Sequence, residues 1–111
     1  MRAVHENIAG PLAIKEDLAL YGLVTIGATL HSGTKLVLHG TIGGDLTIEP
    51  RTRAIIHGTV AGCIYNMGGR VEIFGFVDAV EDSSPDAVTV INAAASVRRG
   101  RANINGSERD S

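Results

Sequence analysis

Leu18, Val24, Leu30, Leu36, Ile42, Ile48, Ala54 and Val60 stand six residues apart, and all eight are aliphatic. An α-helix repeats every 3.6 residues and an isolated strand every two, so neither accounts for a comb of six. A coil whose sides are about six residues long does account for it, with three sides closing one turn. The spacing therefore predicts an all-β, single-domain, three-sided parallel β-helix of about five to six coils, each about 17–18 residues long.

The longer repeat is also visible. Leu18-Ala19-Leu20-Tyr21-Gly22-Leu23-Val24 is followed by Leu36-Val37-Leu38-His39-Gly40-Thr41-Ile42, by Ala54-Ile55-Ile56-His57-Gly58-Thr59-Val60 and by Val71-Glu72-Ile73-Phe74-Gly75-Phe76-Val77. A weaker copy starts at Val88, as Val88-Thr89-Val90-Ile91-Asn92, and Ile8, Gly10, Leu12 and Ile14 suggest a partial one before the first. Side chains alternate along a strand, so the first and third residues of each copy are expected inside and the second and fourth outside. The fourth place reads Tyr21, His39, His57, Phe74 and Ile91. With coils roughly 4.8 Å apart, this place predicts an external ladder of rings. The glycine that follows has two readings: a corner with positive φ, or a position where a side chain would clash within a narrow coil.

These boundaries give a β-helix over residues 1–97, with a partial first coil over 1–17 and an acidic loop over 81–87. A polar C-terminal tail or cap is expected over 98–111. The core is expected to be aliphatic, since the chain holds two Phe, two Tyr and no Trp. A net charge of −2 argues against a general nucleic-acid binder. The single cysteine, Cys63, excludes an intrachain disulfide and suits a reducing compartment. No apolar run reaches the length of a membrane span, and Met1-Arg2 opens no signal peptide, so a cytoplasmic location is expected. Arg98, Arg99 and Arg101 are where a peripheral membrane or acidic-partner contact would form, but Glu108 and Asp110 dilute them.

The chain is poor in chemistry. A catalytic site needs a reactive group, an orienting partner and a pocket. His39 and His57 fall one coil apart, yet Tyr21 and Phe74 occupy the flanking rungs and no third metal ligand is in phase. Cys63 has no histidine in its own segment and reads as a structural thiol. Asp17, Asp45 and Glu49 fall on different sides or rungs, with nothing pairing them for acid–base work. Gly43-Gly44 and Gly68-Gly69 lack the trailing Lys-Ser/Thr of a phosphate loop. Hexapeptide acyltransferases share the period of six, but they place a small residue directly after the aliphatic one. Here only Gly43 is a glycine in that place, and the abundant glycine falls elsewhere. The expectation is a non-enzymatic chain with no catalytic residues, no metal, no cofactor and no small-molecule substrate.

The pattern aliphatic-x-Gly-x-aliphatic-x-Gly, carried by Leu38/Gly40/Ile42/Gly44 and by Ile56/Gly58/Val60/Gly62, with a weaker match at Ile73/Gly75/Val77/Ala79, resembles the bactofilins. The resemblance runs over roughly residues 8–97. It implies a right-handed, three-sided β-helix that polymerises end to end without nucleotide, in a family that often reaches the membrane through a short N-terminal segment. On this reading the chain is a scaffold whose partner is itself, as a homo-oligomer or filament. Leu12, Ile14, Val88 and Val90 in the terminal coils are the self-association candidates. The alternative is a small module that recognises or neutralises one protein partner, as a toxin immunity protein or adaptor does. Its candidates are the outward rings Tyr21, His39, His57, Phe74 and Phe76, because aromatic side chains anchor interfaces.

Overall fold

The computed structural model describes residues 2–97 and the backbone of 101–103. The described elements are all strands, and every pairing between them is parallel. The chain winds into a β-solenoid of about five turns, as the comb of six predicts. Among the described residues, no helix is long and apolar enough to cross a membrane.

Three faces build the coil. The first stacks Arg2–Val4, Leu18–Leu20, Lys35–Leu38, Arg53–Ile56, Arg70–Ile73 and Val88–Ile91. The second runs from a bridge between Ile8 and Val24 through Leu23–Val24 and Thr41–Ile42 to Ser96–Val97. The third begins with Leu12–Ile14, Gly27–Leu30 and Asp45–Ile48. In two turns the second and third faces merge into the longer strands Thr59–Asn66 and Phe76–Asp82. Their register shifts between Val60 and Cys63, where Ala61 and Gly62 face the single residue Asp78. The expected partial first coil thus contributes to all three faces.

All eight teeth of the comb are buried, and seven of them are fully shielded from solvent. Each lies above its counterpart one turn away, so the core is a set of columns rather than a globule. Leu20, Leu38, Ile56 and Ile73 form one column, and Val24, Ile42, Val60 and Val77 another. A coil this narrow buries its aliphatic side chains only by stacking them on the next coil.

The once-per-coil glycine is settled by close approach. The glycines with positive φ are Gly27, Gly33 and Gly68, which lie outside that column. A Cβ placed on Gly58 would instead overlap the Gly40 carbonyl oxygen of the preceding turn, and Gly40 and Gly75 meet the same obstacle. The column exists because consecutive turns touch there through their backbones.

The fifth copy differs from its sequence register. Val71 pairs with Thr89 and Ile73 with Ile91, while Val88 falls opposite Arg70 and Val90 opposite Glu72. A one-residue slip moves every side chain to the other face. Val88 and Val90, expected inside, are therefore 42% and 43% exposed, and Thr89 is buried. The cause is a polar corner. Thr89 donates to Asp82 Oδ1 at 2.6 Å and accepts from Asn66 Nδ2 at 3.2 Å. Asn66 is the next tooth of the comb after Val60, and it is fully buried. Its other hydrogen bonds run to the Val88 carbonyl and from the Gly68 and Gly69 amides. Three buried polar groups satisfy one another here, which outweighs burial of Val88.

Arg101–Asn103, within the segment assigned to a tail or cap, pairs by its backbone with Val80–Asp82. Residues 98–100 and 104–111 lie outside the described residues.

Candidate functional site

The outward fourth place forms the expected ladder of rings along the edge between the first and second faces. Tyr21 stacks on His39 at 4.7 Å between centroids, His39 on His57 at 5.2 Å and His57 on Phe74 at 5.1 Å. The planes are within 16° of parallel. The ladder starts one rung earlier than the repeat suggested, because His5 stacks on Tyr21 at 4.7 Å. Its first turn is 16 residues long rather than 18, as the pairing of Val4 with Leu20 shows, so His5 falls out of phase with a search for the longer repeat. The motif Val4-His5, matching Leu38-His39 and Ile56-His57, is the signal that would have found it. Ile91 does not join the ladder. The one-residue slip puts Asn92 in that place, with its amide donating to the Ile73 carbonyl as that of Phe74 donates to Ile56.

Parallel stacking holds each ring close to the rise of the solenoid. Tyr21 and Phe74 are 46% and 40% exposed, and Phe76, two residues along on the second face, is 41% exposed. The five protein-binding candidates therefore share one side of the molecule.

A second surface lies at the N-terminal end of the coil. There the interior opens into a cavity of about 390 Å³ whose apolar lining is Val4, Ile8, Leu12, Ala13, Ile14 and Leu18. Glu6, Lys15 and Glu16 stand around it. Of the self-association candidates, Leu12 and Ile14 are at this mouth, whereas Val88 and Val90 stand on the outside of the first face at the other end. Val4, Ile8 and Leu18 belong to the mouth as well, and sequence reading missed their part in it because they look like ordinary core teeth.

Three carboxylates serve the backbone. Asp17 accepts from the Lys35 amide, Asp45 from the Cys63 amide and Glu49 from the Ser32 amide, at 2.8–3.1 Å. Each of these carboxylates ties one turn to its neighbour. Cys63 is buried, and its sulfur lies close enough to Tyr65 to hold that hydroxyl above its ordinary value, with Asp45 adding to the effect. Glu72 is held below the ordinary carboxylate value, first by the Arg70 Nε–H that donates to it at 2.9 Å. Among the described residues, no three His, Cys, Asp or Glu side chains gather as metal ligands. Comparison with protein-family models, curated proteins and solved structures returns no match.

Proposed function

We propose that the chain is a bactofilin-like β-helical scaffold that associates with further copies of itself through its coil ends. The observation that carries this reading is the open N-terminal mouth. Its apolar lining continues the core columns, with Val4, Ile14 and Leu18 buried and Ile8 and Leu12 only partly covered. An end rung also presents unpaired backbone N–H and C=O groups, which another strand edge can satisfy. The test is light scattering on the eluting protein over a wide concentration range, with negative-stain microscopy of the same sample. Dimers, higher oligomers or filaments support the scaffold; a mass fixed at the 11.6 kDa monomer at every concentration refutes it.

A second reading rests on the ring ladder. Tyr21 and Phe74, exposed with His39 and His57 stacked between them, and the exposed Phe76 two residues on, form an aromatic surface of the kind that anchors a protein partner. If the chain stays monomeric, these residues are the first to replace in a search for that partner.

A further inference from the structure

The outer surface of the first face has relief of its own. Its middle outward column runs Ala3, Ala19, Val37, Ile55 and Glu72. The outward columns of the other two faces carry threonine instead, Thr41 and Thr59 on one and Thr29 and Thr47 on the other. On the first face the aliphatic column stands between two columns of longer side chains. One is the ring ladder, Tyr21, His39, His57 and Phe74. The other is cationic, Lys35, Arg53 and Arg70. Val37 and Ile55 are half-buried, and Ala19 is only 8% exposed although strand alternation points it outward. The three columns thus make a trough along the solenoid axis, with an aliphatic floor, one aromatic wall and one basic wall.

Its dimensions follow from the sheet. The walls are four residues apart along each strand, about 13 Å, and the floor from Ala3 to Ile55 spans three inter-strand steps, about 14 Å. Glu72 closes the far end and turns to the basic wall, accepting from Arg70 Nε at 2.9 Å and from Arg53 at 3.5 Å. Asp17 stands on the rung before Lys35 and accepts from its amide. Among the described side chains of this face, three cations therefore meet two carboxylates that already hold partners.

The chemistry of the walls selects a ligand. The ladder rings spend their faces on one another, so they offer a ligand their edges. Ring edges carry partial positive charge and favour the face of another ring. The floor adds apolar contact, and the opposite wall attracts an acid. We infer that this trough is a binding site for a flat, elongated aromatic anion, its ring face toward the ladder edges and an acidic group at Lys35 or Arg53. The site shares the ring ladder with the second reading above, but it requires neither self-association nor a protein partner.

The experiment is a titration of the full chain followed by the methyl NMR signals of Val37 and Ile55. Three probes share one frame: a stilbene with a carboxylate at each end, the same acid with its central double bond saturated so that the rings leave a common plane, and a stilbene with an amidinium at each end. At the efficiency usual for a ligand of about 20 heavy atoms, the flat dicarboxylate is expected to bind with a dissociation constant on the order of tens of micromolar. The saturated acid and the amidinium are each expected to bind more weakly. Lys35→Gln should weaken the dicarboxylate by about two- to fivefold, the range of an exposed ion pair. Val37→Tyr raises the floor and should abolish binding while circular dichroism stays that of the parent; Lys35→Gln serves if that variant does not fold. Thr47→Tyr, the same enlargement on the outside of the third face, should leave binding intact. Unmoved Val37 and Ile55 methyls up to about 1 mM dicarboxylate, an amidinium that binds as tightly as the acid, or full affinity in a folded Val37→Tyr each overturns the site.

Discussion

Replacing Gly58 with alanine tests the claim that this glycine column marks backbone contact between turns. The new Cβ would overlap the Gly40 carbonyl oxygen and stand 2.8 Å from the His39 carbonyl carbon. Carbon atoms pack at about 3.5 Å or more, so the turn must retreat by at least about 0.7 Å. Three hydrogen bonds cross this spot: the His57 and Gly58 amides to the Leu38 carbonyl, at 2.8 and 2.9 Å, and the Thr59 amide to the Gly40 carbonyl, at 3.0 Å. A retreat of that size carries them to about 3.5 Å, beyond the usual range. At about 1 kcal/mol each, their loss costs about 3 kcal/mol before any loss of packing. For a domain of this size that is a fall in Tm of about 12–24 °C. Gly33→Ala is the matched control. Gly33 has φ of 84° and open space around its Cβ position, so the cost there is only the backbone penalty of about 1–2 kcal/mol. The assay is thermal and urea unfolding followed by far-ultraviolet circular dichroism. If Gly58→Ala proves no more destabilising than Gly33→Ala, the inter-turn contact does not explain the column.

Thr89→Val restores the aliphatic residue that the repeat leads one to expect, yet it should destabilise by about 1–3 kcal/mol, because buried Asp82 and Asn66 each lose a partner; urea unfolding reads this directly. Tyr21→Ala should cost about 1–2 kcal/mol by leaving a gap between His5 and His39, and Tyr21→Phe should recover it, since the ring rather than the hydroxyl stacks. Glu72 is held below its ordinary value, so the stability it contributes is present above that value and is lost as pH falls through the folded one. Glu72→Gln should therefore lower stability at neutral pH and flatten the acid limb of a stability-against-pH curve.

The fold was legible because a solenoid writes its geometry into the chain directly. Each turn repeats the same three sides, so the teeth at Leu18, Val24 and Leu30 recur with little noise and mark inward positions one by one. The ladder at Tyr21, His39, His57 and Phe74 followed from the same arithmetic. The arithmetic failed where turn length changes. His5 was missed because the first turn is shorter, and Val88 and Val90 were misplaced because hydrophobicity was read without the polar corner. Nothing local in Asn66, Asp82 and Thr89 signals that they meet: they lie 16 and 7 residues apart along the chain, and only the stacked register brings them together. The mouth was only half legible, since Leu12 and Ile14 look terminal while Val4, Ile8 and Leu18 look like any other core residue.

Between Leu18 and Ala54 the pairing advances by 18 residues at each step, Leu18 to Leu36 and Leu36 to Ala54. Every residue in that stretch meets its counterpart in the neighbouring turn and little else. A chain in which residues 36–53 are duplicated would keep each of those pairings and simply grow taller by one storey, with both ends unaltered. Length is thus a free variable of this architecture, changed in whole-turn increments, while the character of the two ends stays fixed.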